Sequence, residues 1–267
     1  MTTPASTIDL LRMESCTIQF GGLTAVSDLS FGIGENDLVG LIGPNGAGKT
    51  TVFNLITGVY TPTSGSITFQ GKSLKGKKPY EITASGVART FQNIRLFQSL
   101  SVFDNVRAAF HLHLRQSICD TILRSRKFHK EEDEIENRVM ELLEIFNLGR
   151  FRDAYARYLP YGDQRRLEIV RALATQPRLL LLDEPAAGMN PTEKIELMRL
   201  IQFIEEKFKI SILLVEHDMQ VVMGICRKIV VLDYGIKIAE GPPSEIRKNS
   251  KVIEAYLGDT AKTDGTP

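Results

Sequence analysis

The chain has 267 residues, 43% of them hydrophobic and 24% charged, and its formal net charge is +1. This length allows one large domain or two small ones, and the composition is that of an ordinary globular protein. So even a charge balance gives no case for nucleic acid or another polyanion as partner.

From the N-terminus, Met1 to Leu11 lacks the basic region and apolar core of a secretory signal. Alternation from Leu10 to Phe20 predicts a strand, with a short second one at Leu29 to Phe31. Asp37 to Ile42 is an apolar run of strand length that ends in a glycine-rich turn, and Lys49 to Thr57 reads as a helix closed by Gly58. Thr61 to Gly65 is a turn before a strand at Ser66 to Phe69. Lys72, Lys75, Lys77 and Lys78 then form a charge run. A second run, Arg124 to Lys130, precedes acidic Glu131 to Glu136. Neither interleaves aromatics, so both read as solvated faces.

From Ser101 to Leu148 the pattern is helical, with a Ser101/Asp104 capping box and apolar residues at Ile135, Val139, Leu142, Leu143 and Phe146. Helices inserted between strand-rich halves point to a helical subdomain growing out of an α/β core. Strands return at Leu179 to Leu182, a continuous apolar run of the kind buried on both faces of a parallel sheet, and at Ile210 to Val215 after a helix from Thr192 to Phe208. Lys228 to Leu232 and Ile236 to Ala239 read as a hairpin around Asp233-Tyr234-Gly235. Cys16, Cys119 and Cys226 have no metal-type spacing and read as reduced thiols. No apolar run reaches the ~20 residues that cross a bilayer, so any membrane association is expected through another chain.

Two segments carry chemistry. Gly43-Pro44-Asn45-Gly46-Ala47-Gly48-Lys49-Thr50, followed by Thr51, fits the phosphate-loop pattern between a buried strand and a helix. A polyphosphate needs several converging main-chain N–H groups, and glycines let the chain curl without side chains in the way. The helix start adds the positive end of its dipole, Lys49 a point charge for the β- and γ-phosphates, and Thr50 a hydroxyl for Mg²⁺. The second segment is Asp183-Glu184 at the tip of four leucines. Alone, such a pair more often marks a strand end meeting solvent. Beside a phosphate loop, Asp183 reads as a Mg²⁺ partner through water and Glu184 as the acceptor of a proton from attacking water, a role worth ~10²–10⁴-fold in rate.

The phosphate loop, Gln92, Tyr161-Gly162, Asp183-Glu184 and His217 occur in the order of an ABC transporter ATPase, and the chain resembles that family from about Leu10 to Gly258. The resemblance implies an α/β P-loop NTPase core with an antiparallel β subdomain and an inserted helical subdomain. Its expected bounds are one domain over 9–258, with the core at about 9–91 and 164–241, the helical part at about 92–163, a C-terminal helical segment at 242–258, and a disordered polar tail at 259–267. It also implies roles. Gln92 touches Mg²⁺ and the attacking water, His217 contacts the γ-phosphate, Phe20 stacks on adenine, and Val26 lies beside the ribose. From residues alone Phe20 is equally a core side chain. Leu159-Pro160-Tyr161-Gly162-Asp163-Gln164 stands where the signature Leu-Ser-Gly-Gly-Gln belongs. Pro160 replaces the phosphate-contacting serine and Asp163 a glutamine, which predicts weaker hydrolysis at the composite site that uses them. Asn190 replaces the usual aspartate of the loop crossing the dimer interface.

Phe20-Gly21-Gly22-Leu23-Thr24-Ala25, Arg89 to Phe97, the helical insert, Glu184 to Pro191 and Val252 to Gly258 narrow the likeness to the Liv-type ATPases of branched-chain amino-acid importers. That resemblance implies a peripheral protein on the cytoplasmic face of the bacterial inner membrane, with ATP and Mg²⁺ as cofactors. It implies two membrane permeases, a second ABC ATPase (a paralogue rather than a copy of itself, given the altered signature) and, indirectly, a periplasmic binding protein. Two ATP molecules would lie in a head-to-tail sandwich of ATPases. The alternatives are an importer of urea or short amides and a soluble ABC ATPase outside transport.

Overall fold

The computed structural model describes residues 9–110, 112 and 126–263. Cys119, the arginine that opens the second basic run, and 264–267 of the expected tail lie outside the described residues. In chain order the first elements are β1 (Leu11–Phe20), β2 (Leu23–Ile33), β3 (Leu38–Ile42), α1 (Lys49–Ile56), β4 (Ser64–Phe69), β5 (Lys72–Ser73) and α2 (Pro79–Ala84). There follow β6 (Val87–Arg89), α3 (Val102–Phe110), α4 (Arg126–Ile145), α5 (Tyr161–Ala174), β7 (Leu179–Asp183) and α6 (Pro191–Phe208). The last are β8 (Ser211–Val215), α7 (Met219–Ile225), β9 (Lys228–Asp233), β10 (Ile236–Gly241), α8 (Pro243–Ile246) and α9 (Ser250–Thr263). These divide into two compact units: a larger one made of the residues up to Ile82 and from Arg178 onward, and a smaller one spanning Thr83–Pro177.

In the larger unit the sequence places its most apolar runs side by side. Every residue of β3, β7 and β8 is buried. The strands of this unit run in the order β10-β9-β3-β8-β7, with β3 parallel to both β8 and β9, and β7 parallel to β8. The four leucines of β7 are each 0% exposed. Burying a leucine side chain contributes about 1.5–3 kcal/mol, so they fix the strand and leave the charge to its tip. The expected hairpin forms between β9 and β10, where Asp233 pairs with Ile236. Its two-residue loop has positive φ at both Tyr234 (43°) and Gly235 (79°), as a type I′ turn requires.

The antiparallel sheet of this unit has the order β2-β1-β4-β5. β2 is much longer than the three residues read from the sequence. Between the pairs Ile18↔Val26 and Cys16↔Leu29, β2 carries one residue more than β1, with Asp28 at φ 47°. Such a bulge breaks the period-two pattern that reveals a strand. α9 likewise runs past Asp259, where the tail was expected to begin, because Ala261 and Lys262 favour a helix.

In the smaller unit α3 packs on α4 and α5, through buried Val102, Val106, Phe110, Val139, Leu143 and Leu167. The cap expected at Ser101 is present, its hydroxyl oxygen accepting the Asp104 N–H at 2.9 Å. α5 begins at Tyr161, within the segment that stands at the signature position.

Candidate functional site

Parallel strands bring their C-terminal ends to one edge of a sheet, which is where such folds collect ligand-binding loops. Leu41 and Asp183 both lie opposite Val215, on either side of β8. At the usual strand spacing the ends of β3 and β7 are therefore roughly 10 Å apart, with the end of β8 between them. The loop Gly43–Gly48, Glu184 and His217 follow directly from these three ends.

The loop after β3 is held by main-chain geometry. Gly43 has φ 152°, and a Cβ there would meet the Leu232 carbonyl oxygen at 2.1 Å. Gly48 has φ 100°, and a Cβ there would meet the Ala25 oxygen at 2.8 Å. Pro44 accepts from the Ala47 N–H at 3.2 Å, closing the turn through Asn45 and Gly46. The β9–β10 turn braces the loop from outside, the Gly235 N–H donating to Ala47 and the Gly235 carbonyl accepting from Ser27. Lys49 is 7% exposed, and its ammonium donates to the Gly43 and Pro44 carbonyls at 2.7 and 2.9 Å. That places a buried cation at the start of α1, whose N-cap Gly48 offers no side-chain acceptor. The first-turn N–H groups therefore favour an anion there. Thr50 and Thr51 follow in this first turn, the Thr50 side chain exposed.

Asp183 is buried at the end of β7, and Glu184 follows with φ 45°, a region a glutamate enters only when its surroundings hold it there. The Glu184 N–H donates to Val215 at 2.9 Å. Glu184 Oε2 lies 3.7 Å from His217 Nδ1, the carboxylate 18% and the imidazole 58% exposed. A half-sheltered acid beside an exposed imidazole is able to take a proton and to meet an anionic group. Asp218 caps α7, accepting from Gln220 and Val221, and pairs with Lys194 of α6 at 2.6 Å. The Lys194 hydrogen bond holds its carboxyl below the ordinary value. Asn190 caps α6 in a reciprocal capping box with Glu193, so its side chain is engaged in the helix start.

Phe20 ends β1 with its ring partly exposed and edge-on to Tyr60, centroids 5.0 Å apart. Val26 is 0% exposed and lies against Gly48, where it supports the loop.

The smaller unit holds the other sequence-derived positions. Gln92 is exposed, and its carbonyl accepts from Arg165 Nη2 at 2.9 Å. Arg165 Nη1 donates to the Phe91 carbonyl at 2.7 Å and pairs with Glu168 at 2.9 Å. Glu168 in turn accepts the Arg95 N–H at 3.1 Å. Tyr161 is within 3.4 Å of Arg165 through its hydroxyl, and Gly162 beside it is open, with nothing within 4 Å of a Cβ. Thus a buried ion pair on α5 ties the start of that helix to the loop of Gln92. Asp163 does not stand as an isolated charge, its carboxylate lying 3.3 Å from Arg166. Arg165, Glu168 and the fully buried Glu216 were missed by sequence reasoning. The available signal was an Arg and a Glu at i, i+3 on the buried face of an amphipathic helix.

The ABC transporter family matches residues 26–187, and the branched-chain amino acid ATP-binding cassette transporter family matches residues 237–262. The high-affinity branched-chain amino acid transport ATP-binding protein LivG of Salmonella typhimurium is 46% identical over 94% of this chain and 98% of its own length. The corresponding protein BraF of Pseudomonas aeruginosa is 44% identical over the same shares. A solved ATP-binding cassette of an ABC transporter in its ADP conformation superposes with a TM-score of 0.81 at 30% identity, covering 94% of this chain and 100% of that one.

Proposed function

This chain belongs to the ABC transporter ATP-binding family, and from that premise we propose that it is the subunit that hydrolyses ATP to drive a branched-chain amino-acid importer. One observation carries the chemistry: a phosphate loop braced by a buried lysine shares a sheet edge with a glutamate and a histidine 3.7 Å apart. In this reading the loop amides of Gly43–Thr51 and the Lys49 ammonium grip the β- and γ-phosphates. Phe20, steadied by Tyr60, stacks on the adenine. Glu184 takes the proton of the attacking water, and His217 meets the γ-phosphate as charge develops.

The donor set fits a hard divalent cation: a threonine hydroxyl at the helix start and a buried carboxylate at a strand tip are both oxygen ligands. Mg²⁺ bound by Thr50 and Asp183 would neutralise charge on the phosphates. Gln92 is assigned to the metal and the attacking water from its motif alone, and Tyr161 and Gly162 to the nucleotide of an opposing ATPase. No helix among the described residues is long and apolar enough to cross a membrane. As an ABC transporter ATP-binding subunit it works against permease subunits, two of them in this reading, with a paralogous ATPase and a periplasmic binding protein completing the importer. Its place is the cytoplasmic face of the inner membrane.

The cargo follows from the relatives' names and the match over residues 237–262. Proteoliposomes holding the importer test both parts. ATP-dependent uptake of leucine, isoleucine or valine, abolished by Glu184→Gln, is the expected result. Uptake of urea or short amides alone would move the cargo to the alternative importers. ATP hydrolysis by a chain that associates with no permease would overturn the transport reading.

A further inference from the structure

Glu216 lies between β8 and His217, and its side chain is 0% exposed. Removing a carboxylate from water is costly unless its lone pairs are filled. Main-chain donors from two loops reach both of its oxygens. Oε1 accepts the Ala186 N–H at 2.7 Å, and Oε2 accepts the His217 N–H at 3.3 Å. Ala186 lies two residues beyond Glu184, whose own N–H is already bonded to Val215 at 2.9 Å. Only Pro185 separates the two fastened N–H groups, and the stretch they hold includes the strained φ of 45° at Glu184. A glutamate kept in that conformation needs its surroundings to over-determine it. The two hydrogen bonds from the β8 end do so.

We propose that Glu216 is a positioning residue for hydrolysis, its carboxylate locking the loop that bears Glu184 against the loop that bears His217. It touches no reacting atom. It sets the 3.7 Å approach of the two side chains that do. A neutral amide at this position has one acceptor atom for two facing N–H groups, so Glu216→Gln keeps the shape and loses one of the fastenings. Glu216→Ala loses both. The inference rests on the reading of Glu184 as general base, and the experiment separates the two.

ATP affinity and steady-state kcat are measured in the assembled transporter for wild type, Glu184→Gln, Glu216→Gln and Glu216→Ala. A misplacement of about 1 Å in catalytic geometry costs on the order of a hundredfold in rate. The expected kcat losses are about tenfold for Glu216→Gln and about a hundredfold for Glu216→Ala, with ATP affinity unchanged because the phosphate loop is intact. If the alanine variant fails to fold, the isosteric glutamine variant decides. Wild-type kcat in Glu216→Gln beside an inactive Glu184→Gln overturns the inference alone. A parallel fall of kcat and ATP affinity also overturns it, because that is general loosening. Wild-type turnover in Glu184→Gln overturns the general-base reading and the inference with it.

Discussion

Glu168→Ala is the perturbation whose cost the structure sets most clearly. Arg165 and Glu168 are 1% and 2% exposed, and their 2.9 Å contact is the only carboxylate partner of that guanidinium among the described residues. Removing the acid leaves a cation out of water with neutral partners alone, two carbonyls and the Tyr161 hydroxyl, and breaking one side of a buried pair costs about 3–5 kcal/mol. It also strands the Arg95 N–H that Glu168 accepts at 3.1 Å. For a chain of this size each kcal/mol moves the melting temperature by about 2–4 °C, so the expected fall is roughly 6–20 °C. Calorimetry or circular dichroism reads it. The double variant Arg165→Met/Glu168→Leu removes both charges and is expected to recover most of the loss, because well-packed apolar replacements of buried pairs are near neutral. The Gln92 loop would still lose its two carbonyl contacts to Arg165, so ATP turnover is expected to stay low although the melt recovers. A fall of under about 2 °C for Glu168→Ala would refute the reasoning, since it would mean that the pair contributes no more than a surface pair does.

Three further outcomes follow from local geometry. Pro160 caps α5 without a side-chain hydrogen bond, and Pro160→Ser with Asp163→Gln is expected to raise turnover at the composite site, read as an increase in kcat in the assembled transporter. No increase would count against a signature weakened by those two residues. Asn190→Ala removes a capping box and is expected to cost about 1 kcal/mol in a urea melt, whereas Asn190→Asp keeps the acceptor and the stability. Asp218 is held below its ordinary 3.8 by Lys194, so the folded chain binds that proton less tightly than the unfolded one. The contribution of the pair is therefore complete above 3.8 and is lost as the pH falls through the lower folded value. The urea midpoints of wild type and Lys194→Met are expected to differ by a constant amount near neutral pH and to converge below 3.8.

The legible parts of the sequence were those in which one strong physical demand acts on neighbouring residues. Four leucines in a row have only a doubly covered strand to occupy, and the glycine turn before Lys49 has few other uses between such a strand and a helix. Phe20, Glu184 and His217 were placed by motif, and the structure gives Glu184 and His217 their contact. β2 was read too short because the bulge at Asp28 shifts the phase of its alternation. Arg165, Glu168 and Glu216 escaped because burial of a charge is a tertiary property. The i, i+3 spacing of Arg165 and Glu168 marks a pair but not its burial, and their main-chain partners, like that of Glu216, lie many residues away along the chain, at Phe91, Gln92 and Ala186.

The central claim is that curled main-chain amides and the Lys49 ammonium hold the phosphates of ATP. It is tested most directly by titrating ATP into wild type and Lys49→Ala while following turnover in the same samples. Loss of the buried cation that now bonds Gly43 and Pro44 is expected to weaken nucleotide binding severely and to abolish hydrolysis, with β3 and α1 intact by circular dichroism. Unchanged affinity and turnover in Lys49→Ala would contradict it.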